Sequence, residues 1–214
     1  MVDWQSIKPV VIQSDDWGLC GFFPETTNLT ESQKEILNPG DFPAVYWTST
    51  LEDSTDVAVL SSMLKTHIDR DGLPALFQAN YITSSLQFNS DCWNEFNIPE
   101  LHPAYKRPGL WNAVKSAIDA GTWKPELHGR WHYDPRVMKN TIPQNSLLAD
   151  LNKQGVLLFP GCMSAFELGK NSDIGSVNDE LQQSVEIFKN LFGYIPNSVI
   201  APDYVWNGRD EKSW

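Results

Sequence analysis

Cysteine is scarce in this chain: three in 214 residues, Cys20, Cys92 and Cys162. The number is odd and no pair has the CxxC spacing, which excludes a disulfide framework and a zinc-finger pattern. Buried, reduced thiols are the expectation and, together with an N-terminal Met-Val-Asp-Trp-Gln-Ser-Ile-Lys that lacks the apolar core of a leader, predict a cytoplasmic protein. Long hydrophobic runs are missing too. No stretch approaches the ~20 apolar residues of a membrane span, so a membrane is not an expected partner. Basic residues are in the minority, 16 Lys and Arg against 27 Asp and Glu, for a formal net charge of −11. Such a balance disfavours both nucleic-acid phosphates and anionic lipid as partners. What the chain does have is apolar and aromatic material, 41% hydrophobic residues with 9 Trp, 6 Tyr and 10 Phe. This composition builds a core and excludes disorder. At roughly 100–200 residues per domain, residues 1–214 read as one domain.

Short apolar runs alternate with helical patterns. Pro9–Gln13, Ala44–Thr48, Ala75–Ala79, Val156–Phe159 and Ser198–Ala201 read as buried strands, with Glu126–His128 as a weaker one. Between them, Val57, Leu60, Leu64 and Ile68 recur at helical spacing, opened by Ser54/Thr55 and closed by Gly72. Leu110, Trp111, Val114, Ala117 and Ile118 form a second stripe, from Pro108 to Gly121. Leu147, Leu148 and Leu151 form a third, ended by Gly155. Leu181, Val185, Phe188, Leu191 and Phe192 make the strongest, entered through Asn178/Asp179 and stopped by Gly193. Strand–helix alternation implies a parallel sheet, open or closed into a barrel. Irregular stretches at 18–42, 81–106 and 160–177 each follow a strand, where α/β proteins build their sites.

Three of these strand ends carry chemistry. The first strand runs into Ser14-Asp15-Asp16-Trp17-Gly18. Adjacent side chains on a regular strand point to opposite faces, so only a turn, helped by Gly18, aims both carboxylates at one cleft. Two acids so placed repel unless a cation neutralises one; the alternative is an acidic turn whose side chains cap backbone amides. The second is Glu126-Leu-His128-Gly-Arg130-Trp131-His132, where Pro125, Gly129 and Pro135 argue for a strand end turning into a loop. Two imidazoles and a carboxylate suit Zn²⁺ or a similar divalent ion and leave a position open for water. The alternative reading makes His128 a hydrogen-bonded core histidine and His132 a surface one. His67 and His102 read as structural. The third strand end is Ala201-Pro202-Asp203-Tyr204-Val205-Trp206, by itself a turn.

Taken together, these three segments resemble the motifs of the polysaccharide deacetylases, the NodB-homology superfamily. Ser14-Asp-Asp-Trp-Gly18 is similar to that family's T-F-D-D-G. His128-Gly-Arg-Trp-His132 matches both histidines of H-[ST]-x-x-H, with Gly129 in place of Ser or Thr. Ala201-Pro-Asp-Tyr204 lines up with R-P-P-[YFW]. The resemblance implies a distorted seven-stranded β/α barrel, a catalytic base at Asp15 and metal ligands at Asp16, His128 and His132. The reaction it implies is metal-assisted hydrolysis of the acetamide of an N-acetylated carbohydrate, with zinc as the expected ion and a backbone amide after Pro202 helping to hold the oxyanion.

The chain departs from the family at two places. Ala201 stands where an Arg pairs with the base, and no histidine follows His132 to serve as the general acid. With a barrel of this kind typically needing about 250 residues, and Asn207–Trp214 reading like the start of a helix, the expectation is a barrel lacking its last strand, with an exposed sheet edge beside the first strand. Around the motifs, Trp17, Asn80, Arg130, Trp131, Asp203, Tyr204 and Trp206 are the candidate substrate-binding residues. Rings at the ends of strands offer stacking platforms for sugar faces, although core packing explains any single Trp equally well. Asn80 and Arg130 would hydrogen-bond hydroxyl or acetyl groups, or else stabilise loops. Two other readings remain: a glycoside hydrolase using Asp15 and Asp203 as paired carboxylates, and a non-catalytic carbohydrate-binding protein on a decayed scaffold. The sugar and the oligomeric state are not encoded legibly.

Overall fold

The structure, a computed structural model, describes residues 10–19, 23–24, 30–37, 50–157 and 174–204. Three strands form a parallel sheet in the order β1 (Ile12–Trp17), β2 (Phe77–Ile82), β5 (Trp123–Gly129). The intervening β3 (Ser84–Asn89) and β4 (Cys92–Asn97) pair antiparallel with each other as a separate hairpin. Among the described residues six α-helices accompany them: α1 (Glu31–Leu37), α2 (Ser54–Lys65), α3 (Leu110–Asp119), α4 (Pro135–Thr141), α5 (Ser146–Lys153) and α6 (Ile174–Phe192).

The expected seven-stranded barrel is not what the described residues build. The sheet has three parallel strands and does not close. The reason lies in the stretch after β2, taken from the sequence as irregular. Two six-residue runs, Ser84–Asn89 and Cys92–Asn97, are separated only by Ser90 and Asp91, with Ser90 at φ 57°. A linker that short allows an antiparallel return, whereas another parallel strand needs a crossover of a dozen or more residues. Of the other strand candidates, Ala44–Thr48 lies outside the described residues. Val156 and Leu157 are buried without belonging to a strand, and the rest of that run is also outside. Ser198–Ala201 contributes one parallel bridge, Val199 to Leu127, with Ile200 N donating to Leu127 O at 3.1 Å. Among the described residues β1 is therefore an edge strand, and Val10 and Val11 beside it are exposed.

The helical stripes fold as helices, with boundaries set by local chemistry. Helix α2 is entered through Asp53, whose carboxylate accepts from the N–H groups of Thr55 and Asp56 while Asp56 returns a bond to the Asp53 N–H, a reciprocal capping box. It ends at Lys65, well before Gly72, because Ile68 leaves the helix to form a bridge with Pro74 and stays exposed. Helix α4 was not legible as a stripe, yet its start is encoded: Asp134 accepts from Arg136 N and Val137 N, and Pro135 occupies the first turn. Helix α6 begins at Ile174, a full turn before Asn178, and Gly193 (φ 82°) stops it.

Two core clusters hold the sheet. In β2 the alternate residues Phe77, Ala79 and Tyr81 pack with Trp123 of β5 and with Val57, Leu64, Leu110, Val114 and Ala117 of α2 and α3. The second cluster joins Ile82, Leu86, Trp131, Tyr133, Met138, Ile142 and Leu151, tying the hairpin to α4 and α5. Asn152 of α5 completes that junction by accepting from Phe88 N at 2.5 Å, replacing a missing strand partner along the hairpin. Gln78 and Asn80 lie on the other side of β2 from Phe77, Ala79 and Tyr81, and they bond to each other. Of this polar pair in the central strand, Asn80 reaches the acidic turn of β1, donating to Asp15.

Candidate metal centre

The turn of β1 places two adjacent carboxylates in one cleft. The β1–β2 register breaks between Ser14 and Trp17, and Asp16 takes φ 69°, a left-handed conformation that a non-glycine residue adopts only under constraint. The extra residue turns Asp16 out of the alternation, so both side chains serve the same end of the sheet. Gly18 follows at φ 72°, where a Cβ would stand 2.9 Å from Ile82 O and 3.0 Å from Tyr81 Cδ1. Only glycine lets the turn come that close to β2.

Strand β5 supplies the imidazoles. It too slips register, between Tyr81 and Ile82 of its partner, and Gly129 at φ 145° begins the loop that carries His132 back over the strand end. Asp16 Oδ1 lies 3.3 Å from His128 Nε2 and 3.1 Å from His132 Nε2. One ligand atom from each of the three residues falls within 4.8 Å of the other two. Both histidines are buried, while the Asp16 side chain is 43% exposed, leaving an open side toward solvent.

The hydrogen bonding fixes what these atoms offer. His128 Nδ1 lies 2.8 Å from Ile200 O, and a carbonyl can only accept, so Nδ1 carries the proton. In the neutral ring the Nε2 lone pair then points at a carboxylate oxygen, an arrangement that requires either a second proton or a cation between them. A histidine that donates one ring N–H to a backbone carbonyl and turns the other nitrogen inward is the usual arrangement of a metal ligand. Burial alone would raise the Asp16 carboxyl, but hydrogen bonds and positive charge from His128 and His132 outweigh it and hold the group well below the ordinary carboxylate range. The donor set of two imidazole nitrogens and one carboxylate oxygen fits a divalent transition metal with positions left for water or substrate.

Asp15 stands beside this triad without joining it. Its Oδ1 accepts from Asn80 Nδ2 at 2.7 Å, and its Oδ2 accepts from the Tyr204 hydroxyl at 3.0 Å. Asn80 is fully buried and is itself held by Gln78 Nε2 at 3.0 Å, so it orients Asp15 and cannot reach a substrate. Tyr204 sits at φ 55° at the end of the turn Pro202–Tyr204 and is 69% exposed. Its own N–H donates to Ala201 O at 3.0 Å, so of the amides following Pro202 that one is not directed at an oxyanion. Ala201 is buried against Val177 and Leu181.

The other sequence candidates fall elsewhere. Arg130 Nη1 and Nη2 each lie 2.5 Å from a carboxylate, of Glu180 on α6 and Glu95 on β4 respectively. Trp131 is 2% exposed and donates to Glu180 Oε2 at 2.9 Å. Both residues fasten the hairpin and α6 to the loop that carries His132. Trp17 is half-buried and packs edge-on against Trp123 and Phe77 of the core, at 4.6 and 5.5 Å between ring centroids. The Asp203 side chain and Trp206 lie outside the described residues. Two residues not anticipated from the sequence support the site. Glu126 of β5 accepts from Asn197 N and Ser198 N at 2.7 and 2.9 Å, setting the segment that brings Ile200 O to His128. Glu52, ahead of α2, accepts from Gly18 N at 3.2 Å beneath the Asp15–Asp16 turn. Glu126 could be suspected from an acid inside a strand run; Glu52 had no signal, because a Glu before a helix cap reads as surface.

Family models, curated proteins and solved structures give no match to this chain. No helix among the described residues is long and apolar enough to cross a membrane.

Proposed function

We propose that the chain is a metal-dependent hydrolase that removes the acetyl group from an N-acetylated carbohydrate, with zinc as the ion. The observation that carries this reading is the convergence of Asp16, His128 and His132, from two separate strand ends, next to a carboxylate that takes no part in the triad. Separation of the two adjacent acids is what the chemistry needs. Asp16 faces the imidazoles and would hold the ion with them, whereas Asp15 is oriented by two neutral donors and stays outside the triad, free to act on water. A divalent ion in this place supplies Lewis-acid polarisation of the amide carbonyl and of the attacking water. The chain's own residues do the rest: Asp15 takes the proton of the water, Asn80 keeps the carboxylate aimed, and the exposed side of Asp16 leaves the approach open. No described cation replaces the family's arginine beside Asp15; the amide of Asn80 fills that orienting role.

The test is acetate release from N-acetylated oligosaccharides. Chelation should abolish it and zinc should restore it. Asp15→Asn should lower kcat by about 100-fold or more while metal content is unchanged. Turnover that survives both chelation and Asp15→Asn would contradict the reading.

A further inference from the structure

Cleaving an amide requires a proton for the departing nitrogen as well as a base for the water, and the base is already assigned to Asp15. We propose that Tyr204 is the proton donor to the leaving amine, recharged directly by Asp15; this rests on the hydrolase reading above. The described polar groups narrow the choice. Asn80 is a buried amide with no acidic proton to give. His128 and His132 are committed to Asp16 through Nε2. His102 is buried in the loop after β4, where burial pushes it down to about 4 and its Nδ1 accepts from Ala104 N. Lys124 is paired with Glu126 at 2.9 Å. Tyr204 alone among these groups combines an O–H, wide exposure and direct contact with the base.

The proton path closes on itself. Water attacks the carbonyl carbon and gives its proton to Asp15 Oδ2. The C–N bond breaks as the nitrogen takes the hydroxyl proton of Tyr204. The resulting phenolate recovers a proton from Asp15 along the 3.0 Å contact seen in the structure. One amide and one water become one carboxylic acid and one amine, and both side chains return to their starting states. A phenol carries its proton at neutral pH, so Tyr204 has one to give. Its positive φ, 55°, sets the ring against Asp15 from a turn at the far end of the chain.

The experiment compares two substrates with opposite needs for an acid. An N-acetyl sugar expels a basic amine that must be protonated. Para-nitrophenyl acetate expels a weakly basic phenolate that leaves unaided. Tyr204→Phe should lower kcat on the acetamide by about 100-fold or more and lower ester hydrolysis far less, since there it removes only one of the two donors that orient Asp15, with Asp15→Asn defining the background and metal content equal to that of the parent. Equal losses on both substrates would mean Tyr204 only positions Asp15, and would overturn the proposal. So would unimpaired acetamide turnover in Tyr204→Phe, or a selective acetamide loss in Asp203→Asn instead. A parent chain inactive on the acetamide overturns the hydrolase reading and the proposal with it, a result distinct from an active parent with an equally active Tyr204→Phe.

Discussion

Glu52 shows how much of the site depends on residues that never touch it. Its carboxyl lies under the turn, bonded to Gly18 N. Burial pushes it up to about 7, against the hydrogen bonds it accepts and the positive charge of Arg107. Between its unfolded value, 4.5, and about 7 the folded chain keeps the proton and the unfolded chain has lost it. Stability from this group is therefore fully present below about pH 4.5 and declines as pH rises to about 7. Glu52→Gln should flatten the pH dependence of the melting temperature across that window. Thermal scans at closely spaced pH values check it, and an unchanged slope would contradict the burial argument. At this scale the sequence was informative about chemistry and poor about support. The Asp-Asp pair and the two histidines stand out because their spacing is unusual for a turn. Glu52 does not, because it acts through a contact with Gly18, remote in sequence, and no local pattern encodes that. Trp17 and Trp131 stay ambiguous in sequence for a related reason: a ring at a strand end looks the same whether it packs inward or faces a ligand.

At the level of elements, strand β5 and the loop after it supply the two imidazoles, and the segment after α6 orients one of them. His128 is oriented only because Ile200 O reaches its Nδ1, and Ile200 is held there by Glu126, which receives the N–H groups of Asn197 and Ser198. Burial works against the Glu126 charge, but Lys124 and those two amides outweigh it and keep the carboxyl below its ordinary value. Glu126→Ala should release the segment and weaken metal binding about 10–100-fold, measured by competition with a chromophoric chelator. Unchanged affinity would show that Ile200 needs no such anchor. The helices were the legible elements: the stripes of α2, α3, α5 and α6 are long enough for their period to show. The hairpin was missed although its turn is short, because Ser84–Asn97 mixes polar and aromatic residues without clean alternation. Helix α4 was missed because seven residues are too few for a stripe.

For the whole molecule, the site is right where the β/α pattern places it while the architecture is not the expected barrel. Three parallel strands suffice to bring this group together, since Asp15 and Asp16 come from the carboxyl end of β1, the histidines from the end of β5 and the loop after it, and β2 between them supplies Asn80. Alternation of strands and helices in sequence predicts parallel pairing but says nothing about closure, which depends on strands that must find each other across long connections. The triad joins β1 to β5 across β2, so a bound ion ties the two outer strands of the sheet. At a hundredfold excess over its dissociation constant, such an ion adds about 2.7 kcal/mol to stability. The most direct measurement is metal content of the purified chain beside Asp16→Ala, His128→Ala and His132→Ala, with melting temperatures before and after chelation. One divalent ion per parent chain, its loss in each variant, and a fall in melting temperature on chelation only for the parent are the expected results. Full occupancy persisting in the three variants would contradict the account.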